Sequence, residues 1–476
     1  MIVSNKLPAD IPTGEGTLFD VIDPATEEVI ARVHDTDEPE WTAALDRAAE
    51  IQPEWAGLAP RKRAEVLRDV YEEITRRTED FARTMTLEMG KPLAEARGEV
   101  AYGSDYFRWF AEEAVRLPGR FSQAPAGNGD ILVTRTPVGP VLAITPWNFP
   151  LAMAARKIAP ALAAGCPVLV KPAAETPLTM LLTGAVIADV LEKHGASRDL
   201  VQILPTTKSS ELSTTLMANP KLRKITFTGS TGVGKILVRQ SADNLLRTSM
   251  ELGGNAPFVV NDDADLDLVL TCAMQAKMRN GGEACVAANR FLVHEAVADE
   301  FTRRLAESMS GIVTGHGLEE GTTLGPMITA KQRDNIAKLV DGAREAGAKV
   351  LTGGEVPEGK GFFYPATVLS NVPADAEILR EEIFGPVATV TTFSTLEEGI
   401  ALANDTEFGL ASYAFSENVH TCRRMAAELK AGMVGINRGV ISDAAAPFGG
   451  IKQSGFGREG GVEGIEEYLD VRYVAL

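Results

Sequence analysis

The pattern of apolar and polar positions divides the chain into stretches of different character. Residues 1 to about 60 carry short strand-like and turn-rich pieces, such as F-D-V-I-D-P-A-T and V-I-A-R-V. Over residues 60–89 and 95–116, charged and apolar residues alternate at three-to-four spacing, which predicts two long amphipathic helices acting as packing elements. Residues 117–128 hold Pro and Gly with little periodicity and read as a connection. The run D-I-L-V-T-R over 130–135 predicts a strand outside any repeat.

From Val138 the pattern becomes regular. Strands are predicted over 138–145, 167–171, 200–204, 224–228 and 248–252, with helices over 151–164, 177–194, 209–218 and 232–242 between them. Short β-rich runs alternating with helices mark a parallel sheet with crossover helices, so the fold class is α/β with a doubly wound, Rossmann-like part. Ligands in such a sheet sit beyond the carboxyl ends of the strands. Residues 262–279 open with Asp262, Asp263 and Asp265, carry Leu266, Val269, Leu270, Ala273 and Met274 on one stripe, and stop at Asn280-Gly281-Gly282. That is a capped amphipathic helix with Arg279 in its last turn and Cys285 in the loop beyond. A second α/β series runs to about residue 438, and the Gly-rich 447–461 leads into a final strand-like V-R-Y-V-A-L.

Composition narrows the function classes. A chain of 476 residues is too long for one core, so two or three domains are expected. A formal charge of -18 argues against nucleic acid or an anionic membrane surface as the main target. Cys166, Cys272, Cys285 and Cys422 form no C-x-x-C and no disulfide framework, which fits a reducing compartment. The N-terminus M-I-V-S-N-K-L-P-A-D shows no secretory pattern, and the most apolar stretch, 151–170, is broken by Arg156, Lys157 and two prolines. A cytoplasmic protein is expected. None of the five histidines stands at metal-ligand spacing with another His or Cys, so no metal is expected either.

Three places carry candidate chemistry. Cys285 lies in R-N-G-G-E-A-C-V-A-A-N-R, a Gly-rich loop where backbone approaches a substrate closely, and reads equally as a thiolate nucleophile or a buried cysteine. Gly229-Ser230-Thr231-Gly232-Val233-Gly234 follows a strand and opens a helix, so its N–H groups suit a phosphate. Its order is not G-x-G-x-x-G, and a plain tight turn is an equal reading. Lys171 adds a cation at another strand end. Taken alone, Glu251 reads as a solvated or ion-paired carboxylate, Glu382 and Phe384 as an exposed charge and a core aromatic, and Arg156 and Arg279 as surface ion-pair residues.

Several separated motifs nevertheless agree. T-P-W-N-F-P (145–150), K-P-x-x-x-T-P (171–177), F-T-G-S-T-x-x-G (227–234), M-E-L-G-G (250–254), the cysteine loop, E-E-I-F-G-P-V (381–387) and P-F-G-G-x-K-Q-S-G (447–455) occur in this order. With them the chain resembles the aldehyde dehydrogenase family over essentially its whole length. The resemblance implies an NAD(P)-binding domain at 1–118 and 137–252, a catalytic domain at 253–440, a returning linker at 441–463, and a small β oligomerisation arm at 119–136 and 464–476. Dimers or tetramers of the chain are implied with it.

The resemblance also implies a chemistry. Cys285 matches the nucleophile that forms a thiohemiacetal and then a thioester, the Asn148 amide and the Cys285 N–H match the oxyanion hole, and Glu251 matches the base that hydrolyses the thioester. Trp147, Lys171, Ala174, Gly229, Ser230, Gly234, Leu252, Glu382 and Phe384 match positions that line the dinucleotide. Members preferring NAD often carry Glu where this chain has Ala174, so NADP is expected to be preferred over NAD, with the neighbouring Glu175 able to stand in for the missing carboxylate. The succinate-semialdehyde members hold the substrate's distal carboxylate with two arginines and a serine, and the matching positions are Arg156, Arg279 and Ser442. Glu283 stands where Gln is common, and Ala287 replaces a second cysteine used by some members as a redox switch. The readings that compete with succinate semialdehyde are another carboxylated or aliphatic aldehyde such as glutarate semialdehyde, a thiol hydrolase or acyl transferase, and a non-catalytic member of the fold.

Overall fold

The computed structural model describes residues 7–476. One sheet has six strands in the spatial order Gly455–Phe456, Arg247–Glu251, Lys224–Thr228, Val141–Ile144, Val168–Lys171, Val201–Ile203. All neighbours are parallel except the first pair. These strands are nearly all buried and apolar, as a sheet covered by helices on both faces requires. The covering helices include Ala152–Ala164, Pro177–Lys193, Ser209–Ala218 and Thr231–Ser241. Register pairs Ile144 with both Lys171 and Phe227, and Thr228 with Glu251. The strands therefore end in line, which puts Asn148, Lys171, Gly229 and Glu251 along one carboxyl edge.

A second sheet has seven strands in the order Lys349–Thr352, Thr367–Ser370, Val387–Phe393, Ala288–His294, Ala256–Val260, Ala411–Phe415, Met433–Ile436, antiparallel only at the first pair. A third sheet is antiparallel and small: Leu469–Ala475, Asp130–Pro137 and Arg120–Gln123. A hairpin of Leu18–Asp23 and Glu28–His34 stands apart. Among the described residues no helix is long and apolar enough to cross a membrane, and no group of three or more His, Cys, Asp or Glu is placed to hold a metal ion.

Four expectations need correction. The first 60 residues also contain a helix, Glu38–Gly57, opened by a capping box in which Asp37 accepts from the Glu40 N–H and Glu40 reaches back to the Asp37 N–H. Its stripe of Trp41, Ala44, Leu45 and Ala48 is buried. The predicted helix over 60–89 is two helices, Pro60–Arg76 and Thr78–Met89, separated at Arg77, and the next spans Leu93–Glu113. The returning segment 441–463 is not only a linker, because Gly455–Phe456 adds a strand beside Arg247–Glu251. Arg279 lies just past its helix, which ends at Met278.

Candidate active site

The loop carrying the thiol is shaped by what it must pass. The helix Leu266–Met278 begins at Asp265, whose carboxylate accepts from the Asp267 and Leu268 N–H groups, and it stops abruptly at Arg279. Asn280, Gly281 and Gly282 then take three successive left-handed conformations, with φ of 55°, 62° and 78°. A Cβ on Gly282 would stand 2.2 Å from the Gly385 carbonyl oxygen, so only glycine lets the two loops pass. Asn280 tolerates its conformation because its side-chain amide donates to the carbonyls of Asn148 and Glu283, each at 3.0 Å. The loop is thereby tied to the sheet edge that carries Asn148.

Cys285 opens into a cleft of about 280 Å³. Trp147, Asn148, Gly229, Ser230, Glu251, Leu252, Glu382 and Phe384 line the same cleft. The cleft joins the carboxyl edge of the first sheet to the cysteine loop and to the 379–385 segment that follows the strand Thr367–Ser370. Trp147 and Phe384 meet edge to face, 5.3 Å between centroids at 87°. Phe384 adopts φ 51°, a left-handed conformation uncommon for an aromatic residue. The Glu382 carboxylate accepts from the Gly254 N–H at 3.0 Å, and burial raises its pKa to about 7.

These features fit a dinucleotide. Ser230 caps the helix Thr231–Ser241, so the turn before it presents N–H groups and a positive helix end to a phosphate. Gly229 and Gly234 are needed there, since a Cβ on either would approach the Phe227 ring or Leu252 to 2.5 Å. Lys171 ends its strand as a buried cation whose ammonium is destabilised by burial and supported by Glu175. Ala174 sits in the turn after it, partly exposed and with no charge of its own.

The electrostatics behind the thiol centre on carboxylates. Glu251 is buried, and neither of its oxygens has a hydrogen-bond partner among the described residues. Burial drives its carboxyl well above the usual range, Glu459 adds to this, and Arg156, Lys157 and Arg458 oppose it. Glu459 is ion-paired to both Arg156 and Lys157, and Lys157 also donates to the Thr228 hydroxyl at 2.6 Å. Desolvation pushes the Cys285 thiol up to about 12, with Arg156 pulling the other way. Burial thus disfavours the charged form of both thiol and carboxyl, and the nucleophile forms only as its proton leaves. The rate at which iodoacetamide alkylates Cys285 is accordingly expected to climb with pH from neutral into the alkaline range; a rate already level at pH 7 contradicts this.

The oxyanion side is equally ordered. The Asn148 side-chain amide donates one hydrogen to the Glu283 carbonyl at 3.0 Å, and its oxygen accepts from the Phe149 N–H at 3.1 Å. The second amide hydrogen remains for a ligand in the cleft. Glu283 is itself buried, with its carboxyl raised well above the usual range by desolvation, and accepts from the Ile328 N–H.

Arg156, Arg279 and Ser442 do not line this cleft. Arg279 lies beside an apolar cluster of Phe149, Ala152, Met153, Ala284 and Ala287 packed with Tyr102. Its guanidinium stands 5.2 Å from the ring centroids of both Tyr102 and Phe149, and no carboxylate pairs with it among the described residues. Arg156 is fully buried over the Phe448 ring and held by Glu459, yet its Nη1 and Nη2 have no hydrogen-bond partner among the described residues. Neither arginine is the surface ion-pair residue that the local sequence alone describes. Ser442 lies in a loop that packs Gly439 against Cys272 and brings Asp443 near Asp105, with no hydrogen bond to either arginine among the described residues.

Sequence reasoning missed Tyr102, Phe448, Glu459 and the buried Lys91–Glu99 pair, and saw Lys157 only as a break in an apolar run. Glu459 is 208 residues from Glu251 in the chain and carries no local signal. Lys157 offered one: a lysine inside an otherwise apolar helix must meet a buried partner.

The aldehyde dehydrogenase family model matches residues 11–474. A succinate-semialdehyde dehydrogenase of Paenarthrobacter nicotinovorans is 54% identical over 434 residues, covering 91% of this chain and 96% of that protein. A glutarate-semialdehyde dehydrogenase of Pseudomonas aeruginosa is 42% identical, covering 98% of this chain and 95% of that protein. The crystal structure of an NADP dependent enzyme of E. coli superposes with a TM-score of 0.94 at 42% identity, covering 97% of this chain and 95% of that one. The chain belongs to the aldehyde dehydrogenase family.

Proposed function

We propose that the enzyme oxidises succinate semialdehyde to succinate with NADP, through a thiohemiacetal and a thioester on Cys285. The observation that carries the substrate class is Arg279, a guanidinium cradled by Tyr102 and Phe149 beside the cysteine loop with no carboxylate paired to it among the described residues. The Nη groups of Arg156, without a hydrogen-bond partner among the described residues, offer a second set of donors. A planar carboxylate at the far end of a short aldehyde satisfies both kinds of group. Relatives are named both for succinate and for glutarate semialdehyde, two aldehydes that carry such a distal carboxylate.

The steps follow from the cleft. The ionised fraction of Glu251 takes the thiol proton and passes it to solvent, the thiolate sulfur of Cys285 bonds to the aldehyde carbon, and the carbonyl oxygen takes the electron pair as an oxyanion. The free Asn148 amide hydrogen and the Cys285 N–H stabilise it; one such donor is worth about 3 kcal/mol of barrier. The bound dinucleotide supplies a hydride acceptor, and Trp147, Glu382 and Phe384 would hold its reactive end while Lys171, Gly229, Ser230 and Gly234 hold the rest. Leu252 backs Gly234. Glu251, once ionised, takes a proton from water as its oxygen bonds to the thioester carbon, and the thiolate leaves.

The preference for NADP rests on Ala174, which places no negative charge where a 2′-phosphate would lie beside Lys171. Ala174→Glu is expected to move the ratio of kcat/KM for NAD over NADP upward by about tenfold or more, since like charges in contact cost several kcal/mol. An unchanged ratio contradicts the assignment, as would a tenfold preference of the unmodified enzyme for NAD. The overall reading is tested by the absorbance of reduced nicotinamide on adding succinate semialdehyde with each cofactor; no change with either defeats it.

We also assign residues 119–136 and 464–476 to subunit contact in a homodimer or homotetramer, supported by the exposure of Phe121, Val471 and Tyr473 on the small sheet. The remaining division is 1–118 and 137–252 for the dinucleotide, 253–440 for the thiol, and 441–463 returning between them. Four free cysteines support a cytoplasmic setting.

A further inference from the structure

Lys91 and Glu99 form a buried ion pair outside the cleft, with side chains 1% and 0% exposed. Lys91 follows Gly90, which ends the helix Thr78–Met89 at φ 95°. Its backbone is clamped: a Cβ on Gly317 would lie 2.5 Å from the Lys91 carbonyl oxygen, and one on Gly325 would lie 2.0 Å from that of Gly90. From this fixed base the Lys91 ammonium donates to Glu99 and, at 2.8 Å, to the Asn148 carbonyl, and it stands 4.4 Å over the Phe149 ring. The other oxygen of Glu99 accepts from the N–H groups of Leu151 and Ala152 at 2.9 and 3.1 Å. One ion pair thus grips both ends of the turn from Asn148 to Ala152, the turn that presents the Asn148 amide.

A buried ion pair contributes little net stability over apolar groups of the same volume. What it supplies here is placement, since methionine and leucine would fill the space without donating to one end of the turn or accepting from the other. Oxyanion donors act only when held at the right distance before the charge forms.

We propose that Lys91 and Glu99 are positioning residues for the oxyanion hole, setting the Asn148 amide from behind; this rests on the reading of Asn148 as an oxyanion donor. The test is a double-mutant cycle. Lys91→Met combined with Glu99→Gln removes the ammonium without stranding a buried carboxylate. In the otherwise unmodified enzyme it is expected to lower kcat about tenfold or more, the scale of a mispositioned donor. KM for succinate semialdehyde should move by less than about twofold, because the loss falls on the transition state. Alkylation of Cys285 by iodoacetamide should keep its rate, because displacing iodide builds no oxyanion. In an Asn148→Ala background the same pair of substitutions should lower kcat no further.

Equal losses in both backgrounds, or alkylation that falls in step with kcat, would overturn the proposal and leave the pair a general support of the fold. If Asn148→Ala alone leaves kcat unchanged, the assignment of the donor fails, a result distinct from failure of the positioning role. Glu99→Gln by itself keeps both side chains in place and carries the same comparison at a smaller loss should the paired variant not fold.

Discussion

Glu251→Gln is expected to release one equivalent of reduced nicotinamide per active site and then fall nearly silent. Oxidation up to the thioester needs the thiolate, the oxyanion donors and the dinucleotide, and at high pH the thiol ionises without Glu251. Hydrolysis of the thioester needs a group that takes a proton from water, and glutamine takes none. Loss of a general base costs about 100- to 10,000-fold, so the steady rate should drop on that scale while the first turnover survives at high pH, where the thiol ionises without help. The geometry supports this division of labour. Glu251 faces the cleft with both oxygens unpartnered, as a group waiting for water or a thiol must, and its neighbours Glu459, Arg156, Lys157 and Arg458 pair among themselves or bias it electrostatically without bonding to it. Because burial and Glu459 raise its carboxyl, the ionised fraction grows as pH rises, and the steady rate of the unmodified enzyme should climb with it. A Glu251→Gln enzyme that turns over at an undiminished steady rate would place the base elsewhere.

The second large effect is on substrate choice. Arg279→Ala should lower kcat/KM for succinate semialdehyde by about 10- to 150-fold, the equivalent of the 1.5–3 kcal/mol that a hydrogen bond to a charged group contributes. Butanal, of the same chain length without the acid, should lose little, so the loss will sit in KM for the charged substrate. Arg279 is the clean position for this experiment because, among the described residues, no carboxylate pairs with it. Arg156 is not: its removal would leave Glu459 buried with Lys157 alone, and such a stranded charge destabilises by several kcal/mol. Equal losses on both aldehydes would mean that Arg279 braces Tyr102 and Phe149 rather than reading a carboxylate.

The parts of the molecule that sequence made legible are those whose physics is local. Strands between Val141 and Glu251 announced themselves as short buried runs between helices, and the parallel register then aligned Asn148, Lys171, Gly229 and Glu251 without further information. The helix before Cys285 was legible because Asp265 caps it and glycines end it. The helix Glu38–Gly57 was overlooked although its capping box is written in D-E-P-E, because the strand-like hairpin before it dominated the local pattern. The break at Arg77 had no glycine or proline to mark it.

The active site divides the same way. Motifs placed Cys285, Glu251, Asn148, Trp147, Glu382 and Phe384, and the fold brings them to one cleft from four separate segments. The charges that tune these residues were invisible. Glu459 reaches Arg156 and Lys157 only because Gly455–Phe456 joins the first sheet and turns the chain back over the helix Ala152–Ala164. Lys91 reaches Asn148 only because Gly317 and Gly325 let a distant loop close over it. Such contacts are properties of the assembled chain, with no trace in spacing.

The most direct measurement is the intact mass of the Glu251→Gln enzyme after mixing with succinate semialdehyde and NADP, followed by peptide mapping. The account predicts one succinyl group per chain, carried as a thioester on Cys285 and formed in step with the single equivalent of reduced nicotinamide. Reduced nicotinamide appearing without an adduct, or an adduct on any residue but Cys285, would contradict it.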